Sequence, residues 1–147
     1  MDEIIAKIVS EFEPGQLITH DYLRDIFNIK FPQIRNYNNT AKYVEDYQNI
    51  QFKYMQMVDN LRNELLEKEM YYLRNIRGDG YTLLPPKDQV QFGFNSAIDA
   101  IKKELKTARN IMLNVRTNAI PTEQVGKNND LIARLSNLQQ VFSSSRK

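Results

Sequence analysis

The chain has 147 residues, 41% of them hydrophobic and 26% charged, with a formal net charge of +2, one histidine and no cysteine. That length suits one domain with a real core, or a small domain carrying an appended helical element, and the weak charge confines any nucleic-acid surface to local clusters. The lack of cysteine excludes disulfides, cysteine zinc sites, iron–sulfur clusters and a cysteine nucleophile. No stretch reaches the roughly 18–20 apolar residues that cross a bilayer. The acidic opening does not predict a signal peptide. A soluble, intracellular (cytoplasmic) protein with no membrane association is expected.

In chain order, Ile4, Ile5, Ile8, Val9 and Phe12 fall at helical spacing, with Asp2 as the expected cap and Pro14-Gly15 as the stop. Gln16-Leu17-Ile18 reads as a short extended link. Thr19 then caps a second helix, His20 to Phe27, with Tyr22, Leu23, Ile26 and Phe27 on its buried face. Residues 28–50 read as a loop followed by a helix over 41–50, with Thr40 as its cap, that either bends near Asn49 or continues into the next segment. Phe52 to Glu69 is the expected third helix. Tyr54, Met55, Val58, Leu61 and Leu65 gather on one side of it, and Asn49, Lys53, Gln56, Asn60 and Asn63 on the other.

Tyr71 to Leu84 is two runs rich in Tyr, Ile, Thr and Leu around Gly78-Asp79-Gly80, closed by Pro85-Pro86. Glycines that accept positive φ allow a tight reversal, and proline cannot continue a ladder, so a β-hairpin is expected. Beyond it, Phe94, Ile98, Ile101, Leu105, Ala108, Met112 and Val115 step by four and three, a heptad seam with Lys102, Lys103, Lys106 and Arg109 beside it. Thr117 to Asn129, with Pro121 and Gly126, reads as a loop. A last helix is expected from Asp130, with Ser143 to Lys147 as a frayed tail.

The fold class expected is mainly α (α+β): a winged helix-turn-helix over residues 1–86 and a C-terminal helical hairpin over 87–147. The run Asn60-Leu61-Arg62-Asn63-Glu64-Leu65-Leu66 followed by Tyr72-Leu73-Arg74-Asn75-Ile76-Arg77-Gly78-Asp79-Gly80-Tyr81-Thr82-Leu83 resembles the recognition-helix end and wing of the OmpR/PhoB-type winged-helix transcription regulators. The resemblance covers about a sixth of the chain. It implies a helix for the major groove and, at Arg77, a wing arginine near the backbone or minor groove. A receiver domain and an N-terminal strand platform are missing from the pattern, so phosphorylation control is not implied.

These readings nominate Lys53, Gln56, Asn60, Asn63, Arg74 and Arg77 as DNA-binding residues. Asn and Gln pair with adenine edges, while Lys and Arg reach phosphate or a narrow groove. The bland alternatives are a solvated helix face and solubilising edge charges. Phe94, Ile98, Ile101, Leu105 and Met112 are nominated for dimerisation, with packing inside one chain equally open. His20 is expected as a surface residue. No catalytic residue, metal ligand or cofactor is expected. The function expected is a small non-enzymatic DNA-binding transcription regulator whose partners are double-stranded DNA and a second copy. The alternative is an adaptor or inhibitor that binds a protein of the transcription or replication machinery.

Overall fold

A computed structural model describes residues 1–144, and the last three positions of the expected tail lie outside them. The protein is mainly helical, with a small three-stranded antiparallel sheet. It divides into two units, Met1–Gln89 and Val90–Lys147.

In the first unit, helix α1 (Asp2–Glu11) buries Ile5 and Ile8. Asp2 is not its cap. Met1 holds that position, and the Asp2 carboxylate instead meets Lys68, which also binds Glu64 at 2.9 Å. An acid in the first turn still complements the helix dipole. After the Pro14-Gly15 turn, the expected link leads into a strand, β1 (Ile18–Thr19). Helix α2 (His20–Ile26) follows at once, and the Thr19 hydroxyl accepts from the Tyr22 amide at 3.2 Å.

Helix α3 runs unbroken from Thr40 to Lys68, so the helix expected over 41–50 continues into the one expected from Phe52 and does not bend near Asn49. Its cap is Asn39, not Thr40: the Asn39 Oδ1 accepts from the amides of Ala41 (2.9 Å) and Lys42 (3.4 Å). Tyr54, Val58, Leu61 and Leu65 are buried on its inner face. Met55 departs from the expectation at 56% exposed. One residue is a rotation of about 100°, which carries the side chain off the core-facing arc.

Strands β2 (Leu73–Ile76) and β3 (Gly80–Leu83) form the expected hairpin, and β1 joins its other edge, giving the order β1-β3-β2. β3 is therefore the central strand and is buried throughout, whereas Arg74 and Asn75 of β2 face solvent. The core is shared by α1, α2, α3 and the sheet: Ile8, Ile18, Leu23, Leu61, Leu65 and Leu73 are all fully buried in it. Helix α4 (Pro86–Leu113) starts beside the hairpin base. There Gln89 accepts from the Tyr72 amide and donates to the Met70 carbonyl, both at 3.2 Å.

The second unit holds the rest of α4 and helix α5 (Thr122–Ser143), joined through a short 3-10 turn at Thr117–Ala119. The expected loop to Asn129 is too long. Pro121 stands just before the first turn, where its missing amide hydrogen costs nothing, and Gly126 is tolerated within the helix at about 1 kcal/mol. Gln139 ties the two helices, donating to the Leu105 carbonyl and accepting from Arg109, both at 3.4 Å.

Candidate nucleic-acid interface

Helix α3 is seated by one face and open on the other. The buried steps Tyr54, Val58, Leu61 and Leu65 fix its rotation, so Lys53, Gln56, Asn60 and Asn63 project to the opposite side. All four are exposed, and among the described residues none has an intramolecular hydrogen bond or ion pair. The row extends about 15 Å along the helix axis at the usual rise. With Asn49 it forms a row of amides and one lysine, flanked by Asp59, which pairs with Arg62, and by Glu64, which pairs with Lys68. Neutral amides with both donor and acceptor free can match a base edge.

The hairpin is built as tightly as its glycines allow. Gly78 has φ +88 and Gly80 has φ +148. A Cβ added at Gly80 would lie 2.2 Å from the Ile18 carbonyl oxygen, so glycine is what lets β1 pair with β3 at this point. The Asp79 amide closes the turn by donating to the Ile76 carbonyl at 3.1 Å. Arg77 lies exposed at that turn with no partner among the described residues. Arg74, on β2, is exposed but already engaged within the protein.

Arg62, which the sequence reading passed over, clips α3 to the hairpin. Its Nε donates to the Leu73 carbonyl at 3.2 Å and its Nη1 meets Asp59 at 2.6 Å. The clip also neutralises the acid nearest the amide row. Its signal was weak, since an arginine three residues after an aspartate reads as an ordinary surface pair.

His20 is not a plain surface residue. Its Nδ1 is 2.8 Å from the Tyr54 hydroxyl, and its ring packs edge-on against Tyr54 and Tyr81, with centroids 5.9 and 5.4 Å away. Burial pushes the Tyr54 hydroxyl up to about 12, and burial raises Tyr81 as well. Arg24 sits 4.7 Å from the centre of the Phe31 ring, with Nη1 on Asp21 at 3.1 Å and a buried Nε that lacks a hydrogen-bond partner. These groups border a cleft of about 310 Å³. The cluster pins α2 to α3. Its members are far apart in sequence, so no local pattern announced it.

The seam on α4 is only partly covered. Ile98 is its one buried member among the described residues, Leu105 and Met112 are half-buried, Ile101 is exposed, and Phe94 is 54% exposed. On and near the hairpin loop, Ile111 (69% exposed), Leu113, Val115, Val125 and Leu131 leave an apolar hollow of about 520 Å³. No helix among the described residues is long and apolar enough to cross a membrane. Comparison with protein-family models, curated proteins and solved structures returns no match.

Proposed function

We propose that this chain is a non-enzymatic, intracellular regulator that reads double-stranded DNA with α3 and the β2–β3 hairpin. The observation that carries the reading is the row of unpartnered amides on the open face of α3, whose other face is anchored in the core. The order helix, strand, two helices, hairpin, with a sheet arranged β1-β3-β2, supports a winged-helix assignment. In that architecture the helix before the wing docks in the major groove. Gln56 and Asn60 are then the base-reading residues, Asn63 extends the row, and Lys53, Arg74 and Arg77 contact backbone. The partly covered seam of Phe94, Ile98, Ile101, Leu105 and Met112 supports a homodimer, because two copies double the site read.

Fluorescence anisotropy with duplex DNA at two salt concentrations tests this. Asn60→Ala is expected to cost about 1–3 kcal/mol on the preferred site and little on random duplex. Arg77→Ala should weaken both alike and flatten the salt slope by about one unit. Failure to bind any duplex at low salt would refute the reading.

A second reading is favoured by a specific feature. Residues 1–89 contain eleven Lys and Arg against fourteen Asp and Glu, a net charge of −3. Val44, Phe52 and Met55 of α3 are exposed beside the amide row. An acidic unit with exposed apolar side chains suits a protein-binding adaptor or inhibitor of transcription or replication machinery.

A further inference from the structure

The two units differ in sign. Against the −3 of the first, residues 90–147 contain nine Lys and Arg and four Asp and Glu, a net charge of +5. Pairing differs too. In the first unit Lys7, Arg24, Lys42, Arg62 and Lys68 are neutralised by carboxylates. In the second, Arg134 pairs with Asp130 at 2.8 Å, and Asp99 is engaged as well.

Four of the second unit's cations lie close together on α4, which also carries the acids Asp99 and Glu104. Lys102, Lys106 and Arg109 step by four and three along one side, with Lys103 a rotation of about 100° away. Lys103, Lys106 and Arg109 are exposed and Lys102 is half-buried, while Asp99, one turn before Lys102 and Lys103, is engaged within the protein. Arg109 is held rather than loose, since its Nη1 donates to Gln139 Oε1 at 3.4 Å. Lys102, Leu105, Arg109, Gln139 and Ser143 border a crevice of about 320 Å³ between the helices. Four cations thus lie within about 10 Å of helix axis, while one strand of duplex presents a phosphate about every 3.4 Å along its own axis.

We propose that this face of α4 is a sequence-independent anchor for the phosphate backbone of nucleic acid, separate from the reading face on α3. It rests on the reading given above and supplies the attraction that the acidic first unit lacks. Lysine and arginine at this density neutralise about three phosphates, and each one released from its counterions adds about 0.9 to the slope of log affinity against log salt.

The test is the full-length triple variant Lys102→Gln, Lys103→Gln, Lys106→Gln, beside Asn60→Ala, titrated with a preferred and a random duplex. Gln keeps helix propensity close to Lys, so the helix should be retained, and circular dichroism checks it. The expected result is a salt slope shallower by roughly 2.7 units on both duplexes, about 0.9 for each of three lost contacts. Between 50 and 200 mM salt the wild type should then lose about 40-fold more affinity than the variant. An unchanged slope in the triple variant, with site preference still lost in Asn60→Ala, overturns the anchor and keeps the reading face. A slope lost in the triple variant, with no site preference in any protein, keeps the anchor and overturns the reading face. A wild type that binds no duplex at low salt overturns both. A triple variant that loses binding to anionic vesicles or an acidic protein while its duplex binding is untouched overturns the anchor alone.

Discussion

Gly80→Ala set against Gly78→Ala separates the tight sheet contact from ordinary turn strain. A Cβ at Gly80 would lie 2.2 Å from the Ile18 carbonyl oxygen and 3.0 Å from the Thr19 Cα, both backbone atoms that no rotamer change can move. β1 must therefore separate from β3, breaking the ladder at Ile18↔Tyr81 and Thr19↔Gly80. Lost ladder bonds cost about 0.5–1.5 kcal/mol each, and holding a non-glycine residue at φ +148 costs about 1–3 kcal/mol more. With two ladder bonds lost the sum is about 2–6 kcal/mol before any unpacking of the fully buried Ile18. At Gly78 an added Cβ meets nothing within 4 Å, so only the strain of φ +88 remains, about 1–2 kcal/mol. For a unit of this size each kcal/mol moves the melting temperature by about 4–8 °C, so Gly80→Ala should melt roughly 10 °C or more below Gly78→Ala. Thermal unfolding followed by circular dichroism measures it. Equal melting temperatures would refute the claim that β1 is held against Gly80.

Leu61→Ala removes a fully buried side chain of α3 and should cost about 2–5 kcal/mol in urea unfolding; a loss below 1 kcal/mol would mean the helix is not seated as described. Burial pushes Tyr54 up to about 12, and burial together with its hydrogen bond to Glu11 does the same for Tyr22. Because folding favours the protonated phenols, that stabilisation is complete below pH 10 and is lost as pH rises from 10 through 12, so tyrosinate absorbance should show Tyr22 and Tyr54 among the late-titrating phenols, and the late phase should vanish on unfolding. Glu67 lies on the side of the amide row, four residues past Asn63, and Glu67→Gln should tighten duplex binding about threefold, the worth of one charge about 7 Å from a phosphate in water. Leu105→Asp should leave the first unit folded and halve the solution mass if the seam joins two copies, which sedimentation measures; a wild type already monomeric at micromolar concentration refutes the dimer.

The hairpin was legible because its determinants are local: two glycines at the turn, prolines behind it, and β-forming residues between. The strand Ile18–Thr19 was not, since two residues carry no periodicity and their extended pairing depends on Gly80, sixty residues away. The length of α3 was legible in part: helix was expected on both sides of Asn49, but no local signal decided between a bend there and one continuous helix. Asn39 competes with Thr40 as a cap, and only the structure shows which side chain reaches the first amides. Gly126 and Pro121 were read as breakers by residue type, although position decides: proline is harmless before a first turn, and one glycine within a helix costs only about 1 kcal/mol. On the candidate site, spacing alone placed Lys53, Gln56, Asn60 and Asn63 on one exposed side, because the opposite face is fixed by apolar steps of four and three. The grouping of His20, Arg24, Phe31, Tyr47, Tyr54 and Tyr81 was not legible, because they meet around a cleft only through tertiary structure.

On the proposed reading, the opposite charges of the two units have a shared consequence for discrimination. An amide gains little from a phosphate field, so Gln56 and Asn60 contribute chiefly where a base edge offers the matching donor and acceptor. At a wrong base the same groups are desolvated without partners, at about 1–3 kcal/mol each. A strongly cationic surface around them would add equal affinity for every sequence and fill competing sites without improving that ratio. The net charge of −3 around α3 withholds such non-selective attraction from the reading face, and Arg62 masks the one acid closest to it. Encounter with DNA still needs a positive field, because steering sets the association rate. A basic α4 provides that field from a different helix, so the salt-dependent and base-dependent parts of binding reside on separate residues and can be removed separately.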